Sequence, residues 1–171
     1  MSYHEYLPHP ALLPYIDAYW TIRTDDTARL ELNRILPDGC TDLIFNKGNT
    51  VYGPGHRKVL LADQSYLIGM MTTFSETLLA AENSLLGIRF KAGGIAAFYR
   101  LNVHEITDLA VPYQDNELRE LVYQSPDLLA DLNLYFRKKL PLHPLPVAAV
   151  IAEISSSTGR IKVLNLLNGT P

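Results

Sequence analysis

Two short stretches constrain this chain more than any others: RILPDGCTDLIF at 34–45 and GIRFKAGGIAAF at 87–98. Each sets charged residues inside an apolar, strand-like run. A charge in such a run costs free energy unless it is paired or put to use. In the first stretch, Asp38-Gly39 suits a tight turn. Alternation beyond that turn puts Leu43 and Phe45 on one strand face and Asp42, Ile44 and Asn46 on the other. In the second, Leu86, Ile88 and Phe90 share a face while Arg89 points the opposite way. Arg34 stands just before the first turn. Two readings stay open. Either Arg34 or Arg89 pairs with Asp38 or Asp42 to hold strands in register, or some of these charges face a ligand cavity.

The surrounding sequence is β-rich up to Phe90. Strands are predicted at 41–45, 50–52, 65–71 and 85–90, separated by turn residues such as Lys47-Gly48-Asn49 and Gly53-Pro54-Gly55. Short strands spaced this way favour a sandwich or barrel over a βαβ sheet. Beyond Phe90 the pattern turns helical. Gly93-Gly94 opens a helical stretch, Thr107-Asp108-Leu109 reads as a cap or turn, and residues 116–123 carry Leu118, Leu121 and Val122 at helical spacing. Ser125-Pro126-Asp127 reads as a helix start with Ser125 as cap, followed by Leu128, Leu129, Leu132 and Phe136 on one face. The cluster Arg137, Lys138 and Lys139 reads as the end of that helix, where cations suit the dipole. Pro141, Pro144 and Pro146 mark a linker. After it, Val147, Val150, Ile151 and Ile154 form an apolar helical stripe.

Composition narrows the function classes. At 171 residues and 47% hydrophobic, the chain can bury one sizeable core. It has no apolar run near the roughly 20 residues that cross a membrane. The N-terminus lacks the pattern of a secretory signal. A single cysteine, Cys40, fits a reducing compartment, so a cytoplasmic location is expected. The net charge of -3 argues against free-standing nucleic-acid binding, because phosphate contacts need a basic surplus. His4, His9, His56, His104 and His143 are dispersed, so no metal site or other cofactor is expected. No nucleophile–base motif stands out, so no catalytic residue is assigned and the chain is not expected to be an enzyme. Trp20, with Tyr15 and Tyr19, reads as an aromatic wall or core cluster.

The order PYIDAYW at 14–20, RILPDGCTDLIF, GIRFKAGGIAAF and ITDLAVP at 106–112 resembles the N-terminal sensor half of AraC/XylS-type bacterial transcriptional regulators. The segment AAVIAEISSSTGRIKVLNLL resembles the opening of that family's C-terminal DNA-binding domain. The resemblance implies an α+β fold: a cupin-like β-barrel, roughly 14–90, then a helical segment, then the first helices of an incomplete helix-turn-helix domain. The corresponding divisions are a sensor or dimerisation domain at 1–140, a Pro-rich linker at 141–146 and the start of a DNA reader at 147–171. The family's reader has two helix-turn-helix motifs. The chain is expected to stop where the first has barely begun, so promoter DNA would be met only through a C-terminal region it lacks.

The function expected on this basis is regulatory: effector sensing, dimerisation or both. An unidentified small molecule would bind in the barrel, with Trp20, Arg34, Asp42 and Arg89 as its candidate ligand residues. The reading leaves room for a homodimer and includes no membrane partner. The alternatives are a small metal-independent cupin-type isomerase or hydrolase, and a dimerisation module that binds no ligand.

Overall fold

The computed structural model describes residues 1–26, 30–56 and 58–141 together with positions 150, 153, 154 and 156. In chain order the strands are β1 (Ser2–Tyr6), β2 (Ile16–Arg23), β3 (Glu31–Ile35), β4 (Thr41–Asn46), β5 (Val51–Tyr52), β6 (Lys58–Leu60), β7 (Ser65–Ile68), β8 (Ser75–Leu79), β9 (Ser84–Phe90) and β10 (Ala110–Pro112). The helices α1 (Asn116–Gln124) and α2 (Leu128–Lys138) follow. The strands form a six-stranded sheet in the order β1-β2-β9-β4-β7-β10 and a four-stranded sheet in the order β3-β8-β5-β6. Every strand pair is antiparallel.

The inner strands of the larger sheet, β2, β9, β4 and β7, carry buried residues on both faces, and alternation decides what each face meets. Tyr19, Leu43, Phe45, Leu67, Leu86, Ile88 and Phe90 point to one side. There they pack with Leu118 and Val122 of α1 and with Leu132, Tyr135 and Phe136 of α2. Tyr19 stacks on Phe136 with ring centroids 6.5 Å apart, and Phe90 meets Phe136 edge-on at 5.8 Å. Burying a side chain such as Phe136 in full contributes about 1.5–3 kcal/mol. The other face carries Trp20, Tyr66 and Leu85, which pack with Val51, Leu60 and Leu79 of the smaller sheet. Asn46 ties the two sheets together. It is fully buried, and its Nδ2 donates to the carbonyls of Asn49, Leu60 and Leu61 at 2.9–3.1 Å. Its Oδ1 accepts the Gly48 N–H at 3.0 Å. Each polar atom of this amide therefore has a partner, which is what burial requires.

The helices begin as their sequences dictate. Asp115 caps α1 by accepting the Leu118 N–H at 3.0 Å, and Asp127 caps α2 by accepting from Ala130 at 3.3 Å. Both satisfy orphan donors of a first turn. Lys47 reaches the other end of α1, its Nζ donating to the Val122 carbonyl at 2.9 Å. Asp115 also accepts hydrogen bonds from the hydroxyls of Tyr135 and Tyr99. It thus joins α1, α2 and the segment after β9 in one polar knot.

The architecture agrees with a mixed α+β fold in which antiparallel sheets precede two helices. The face assignments of β4 and β9 hold: Leu43, Phe45, Leu86, Ile88 and Phe90 meet the helices, and Asp42, Ile44 and Arg89 face the smaller sheet or its cavity. The arrangement differs from the expectation in four respects. Among the described residues no strand pair joins the two sheets, so they face each other instead of closing into a barrel. The larger sheet extends past the expected 14–90 at both ends, through β1 and β10. The helical stretch after Gly93 is a single 3-10 turn, Gly94–Ala97. The cap of α2 is Asp127, while Ser125 closes α1 by donating its N–H to the Leu121 carbonyl. The expected linker and the DNA-reader segment lie outside the described residues, apart from Pro141 and the helical positions Val150, Glu153, Ile154 and Ser156.

Candidate functional site

Between the sheets lies a cavity of about 760 Å³. Its lining follows the register of the larger sheet. Asp42 sits directly opposite Arg89, and Ile44 and Trp20 lie on either side of Gly87. Further along, Ile22 stands opposite Leu85. One end of the sheet therefore offers a charged pair and the other a hydrocarbon surface. The smaller sheet completes the hydrocarbon end with Val51, Leu60 and Leu79, all nearly or fully buried. The exposed lining residues Met1, Tyr3, Ile35, Phe74 and Leu109 mark the mouth.

Gly87 makes the charged end possible. A Cβ there would come within 1.9–2.4 Å of the Trp20 indole. Only a residue without a side chain lets the ring lie across β9 and reach the next strand. Trp20 Nε1 then donates to Asp42 Oδ1 at 2.7 Å. The hydrogen bond spans from β2 to β4 over the middle strand. Tyr3, on β1, places its ring 6.4 Å from that of Trp20.

Arg89 completes the cluster. Its Nε lies 3.4 Å from Asp42 Oδ1 and 3.8 Å from Asp38 Oδ2, and Nη1 lies 3.8 Å from Glu5 Oε1. The Nε–H is buried yet has no aligned hydrogen-bond acceptor. Glu5 itself accepts the Tyr3 hydroxyl. Burial pushes the Asp42 carboxyl upward, against the opposing pull of the Arg89 charge and the Trp20 N–H. Burial acts to lower Arg89, but Asp42 and Asp38 outweigh it and hold the guanidinium above its ordinary value. Burial and then Glu5 push the Tyr3 hydroxyl up to about 12. Burial, followed by the charge of Asp38, pushes Cys40 up to about 12, so near neutral pH this side chain is a thiol and not a thiolate.

All four candidate residues, Trp20, Arg34, Asp42 and Arg89, line this cavity, but they do not form one cluster. Trp20, Asp42 and Arg89 meet; Arg34 does not join them. Arg34 pairs across the strands with Glu76 at 2.8 Å, and its guanidinium carbon lies over the Phe74 ring, 4.6 Å from the centroid. Alternation along β3 and β8 puts Arg34 and Glu76 on the side away from buried Leu79, and the Arg34 side chain is 59% exposed. The expectation that Arg34 or Arg89 pairs with Asp38 or Asp42 therefore holds for Arg89 and fails for Arg34, whose acid comes from β8. Sequence reading missed Gly87, Tyr3 and Glu5. The signal for Gly87 was its place mid-strand between Leu86 and Ile88, where glycine implies a close approach. Tyr3 and Glu5 sit on an exposed edge strand without apolar alternation, and nothing in their spacing points to a site.

Among the described residues no group of three or more His, Cys, Asp or Glu side chains is placed to hold a metal ion. None of the described helices is long and apolar enough to cross a membrane. No curated protein and no solved structure matches the chain. A family model does match, over residues 4–112, the span that runs from β1 to the last residue of β10 and holds the whole charged cluster. The chain belongs to the family of that model, DUF6597, a domain of unknown function.

Proposed function

We propose that this domain is the effector-sensing part of an AraC-type transcriptional regulator, with a small molecule bound between its sheets. One observation carries the reading. The strands that wall the cavity are the strands on which the helices pack. Trp20 faces the cavity and Tyr19 faces α2; Asp42 and Ile44 face the cavity, Leu43 and Phe45 the helical core. A ligand that prefers one disposition of β2, β4 and β9 thereby prefers one disposition of α1 and α2. Those helices would set the position of a DNA-reading segment or of a dimer partner. Promoter DNA would be contacted through that segment and not through the sheets.

The test is a thermal-shift screen of uncharged and charged metabolites, followed by hydrogen exchange with any molecule that binds. The expected result is added protection in β2, β4 and β9 together with a change in α1 and α2. Binding that alters the strands and leaves both helices unchanged would refute the sensor mechanism.

A further inference from the structure

Both described helices pack on the larger sheet, and the far face of the smaller sheet carries apolar side chains in the open. Leu79 of β8 faces the cavity, so alternation turns Leu78 outward. Register then sets a row across three strands. Tyr52 of β5 stands opposite Leu78, and Leu78 stands opposite Leu32 of β3. None of the three lines the cavity. The row ends in the open at β3, where Leu32 is 57% exposed and nearby Leu30 53%. β3 is also a sheet edge without the usual protection. The other edge of the smaller sheet, β6, has three residues and begins with Lys58. In the larger sheet, β10 has three residues and ends in Pro112, and β1 carries Glu5. Short strands, charges and Pro all discourage a further strand from adding. β3 has five residues, holds neither Lys nor Pro, and pairs with β8 without a bulge. Its one basic group, Arg34, is drawn back to Glu76 on β8.

We infer that β3 is the contact between two copies of this chain, joined antiparallel about a two-fold axis so that Leu32 faces Leu32 of the second copy. Self-complementarity selects both the occupant and the register. A two-fold axis normal to the sheet keeps the two outer faces on one side, so the pairing is set by which residue lies on the axis. With Leu32 there, the row Tyr52-Leu78-Leu32 meets the same row reversed and runs unbroken through three strands of each copy. With Asn33 there, Leu32 falls opposite the charged Arg34. An axis at Glu31 or Arg34 sets like charges opposite each other, which is unfavourable. A strand of another protein would have to supply this row, and the chain already carries it. The contact is one strand long on each side, below the size of interfaces that bury about 1,200 Å² or more, so it is reversible, with a dissociation constant on the order of micromolar. It needs no ligand and stands apart from the sensor reading.

Sedimentation equilibrium of the full chain across the micromolar range tests it, with Leu32→Lys as the variant. Leu32 is more than half exposed, so the variant keeps its fold, which circular dichroism checks. The native chain is expected to dimerise. Leu32→Lys is expected to raise the dissociation constant by about tenfold or more, because two ammonium groups then face each other across the axis. Oxidative cross-linking locates the contact. Leu32→Cys with Cys40→Ser is compared with Leu134→Cys in the same background, a similarly exposed site on α2. Residues directly opposite on antiparallel strands have Cβ atoms about 4.5–5.5 Å apart, near the span of a disulfide. Leu32→Cys should therefore form a covalent dimer faster than the α2 control. A native chain that stays monomeric throughout the range overturns the inference. So does a dimer that Leu32→Lys leaves intact, or one that cross-links no faster through position 32 than through position 134; either puts the contact on another face. A monomer whose melting temperature falls in Leu32→Lys also overturns it, because the row is then covered from within the same chain.

Discussion

Replacing Gly87 by Ala should reverse its effect according to what stands at position 20. Gly87 has no positive φ, so its backbone conformation is open to any residue. On conformational grounds alone, Ala in a strand interior is better than Gly by about 0.5–1 kcal/mol. In the native chain the added Cβ falls 1.9 Å from Trp20 Cε2 and 2.4 Å from Nε1. Overpacking of this kind costs about 1–3 kcal/mol. Moving the indole away also breaks its bond to Asp42, and a hydrogen bond to a charged group contributes about 1.5–3 kcal/mol. Gly87→Ala should therefore destabilise by about 2–5 kcal/mol once the conformational gain is set against these losses. In a Trp20→Ala background the clash and the hydrogen bond are both gone, and the same substitution should stabilise by about 0.5–1 kcal/mol. Urea unfolding of the four variants, followed by far-ultraviolet circular dichroism because Trp20 is lost in two of them, gives the cycle. An equal cost for Gly87→Ala in both backgrounds would refute the argument that Trp20 is the reason for the glycine.

Three further outcomes follow from the same geometry. Arg89→Met strands the Asp42 carboxylate; it should cost about 1–3 kcal/mol, less than the 3–5 of a fully buried pair because Arg89 is 23% exposed, and Arg89→Met with Asp42→Leu should recover much of that in thermal melts. Asp115→Ala removes the cap of α1 and the acceptor of two tyrosine hydroxyls, and should cost about 1–3 kcal/mol in the same assay. Despite its burial, hydrogen bonds from Tyr135 and Leu118 hold Asp115 below its ordinary 3.8, so its contribution is complete above that value and is lost as pH falls through the depressed one; the acid limb of the native stability profile should flatten in the variant.

The legible parts of the fold were those in which one strand face is buried and the other is not. In β4 and β9 the alternation of Leu43, Phe45, Ile88 and Phe90 against Asp42 and Arg89 showed which residues share a side, and α1 and α2 showed their apolar stripes. Strands β1, β3, β6 and β8 left no such trace. β1 is exposed along its length, β6 has three residues, and β8 carries Ser75 and Thr77 on the face that borders a cavity and not a packed core. The site was legible in its charges and illegible in its pairing. Charge within a strand announces that a partner exists, but the partner is fixed by register. Asp42 and Arg89 lie 47 residues apart and meet only because β4 and β9 are neighbours. Arg34 found Glu76 by the same rule on the other sheet. Whether paired strands join in one ring or two facing sheets depends on contacts between distant segments, which local alternation does not encode.

Strand β1 forms one edge of the larger sheet. Among the described residues it pairs only with β2, and its five residues are exposed, yet Tyr3 lines the cavity mouth and Glu5 is one of the three acids around Arg89. Removing residues 1–6 would cost little packed core but would turn β2 into an edge strand and uncover Trp20, now only 5% exposed. A trimmed protein of that kind should still fold around α1 and α2 while gaining an unpaired edge prone to self-association. An affinity tag joined at Met1, itself a lining residue, would hang at the entrance of the binding space. Ligand screens on this family are therefore best run with the first strand native and free of any extension.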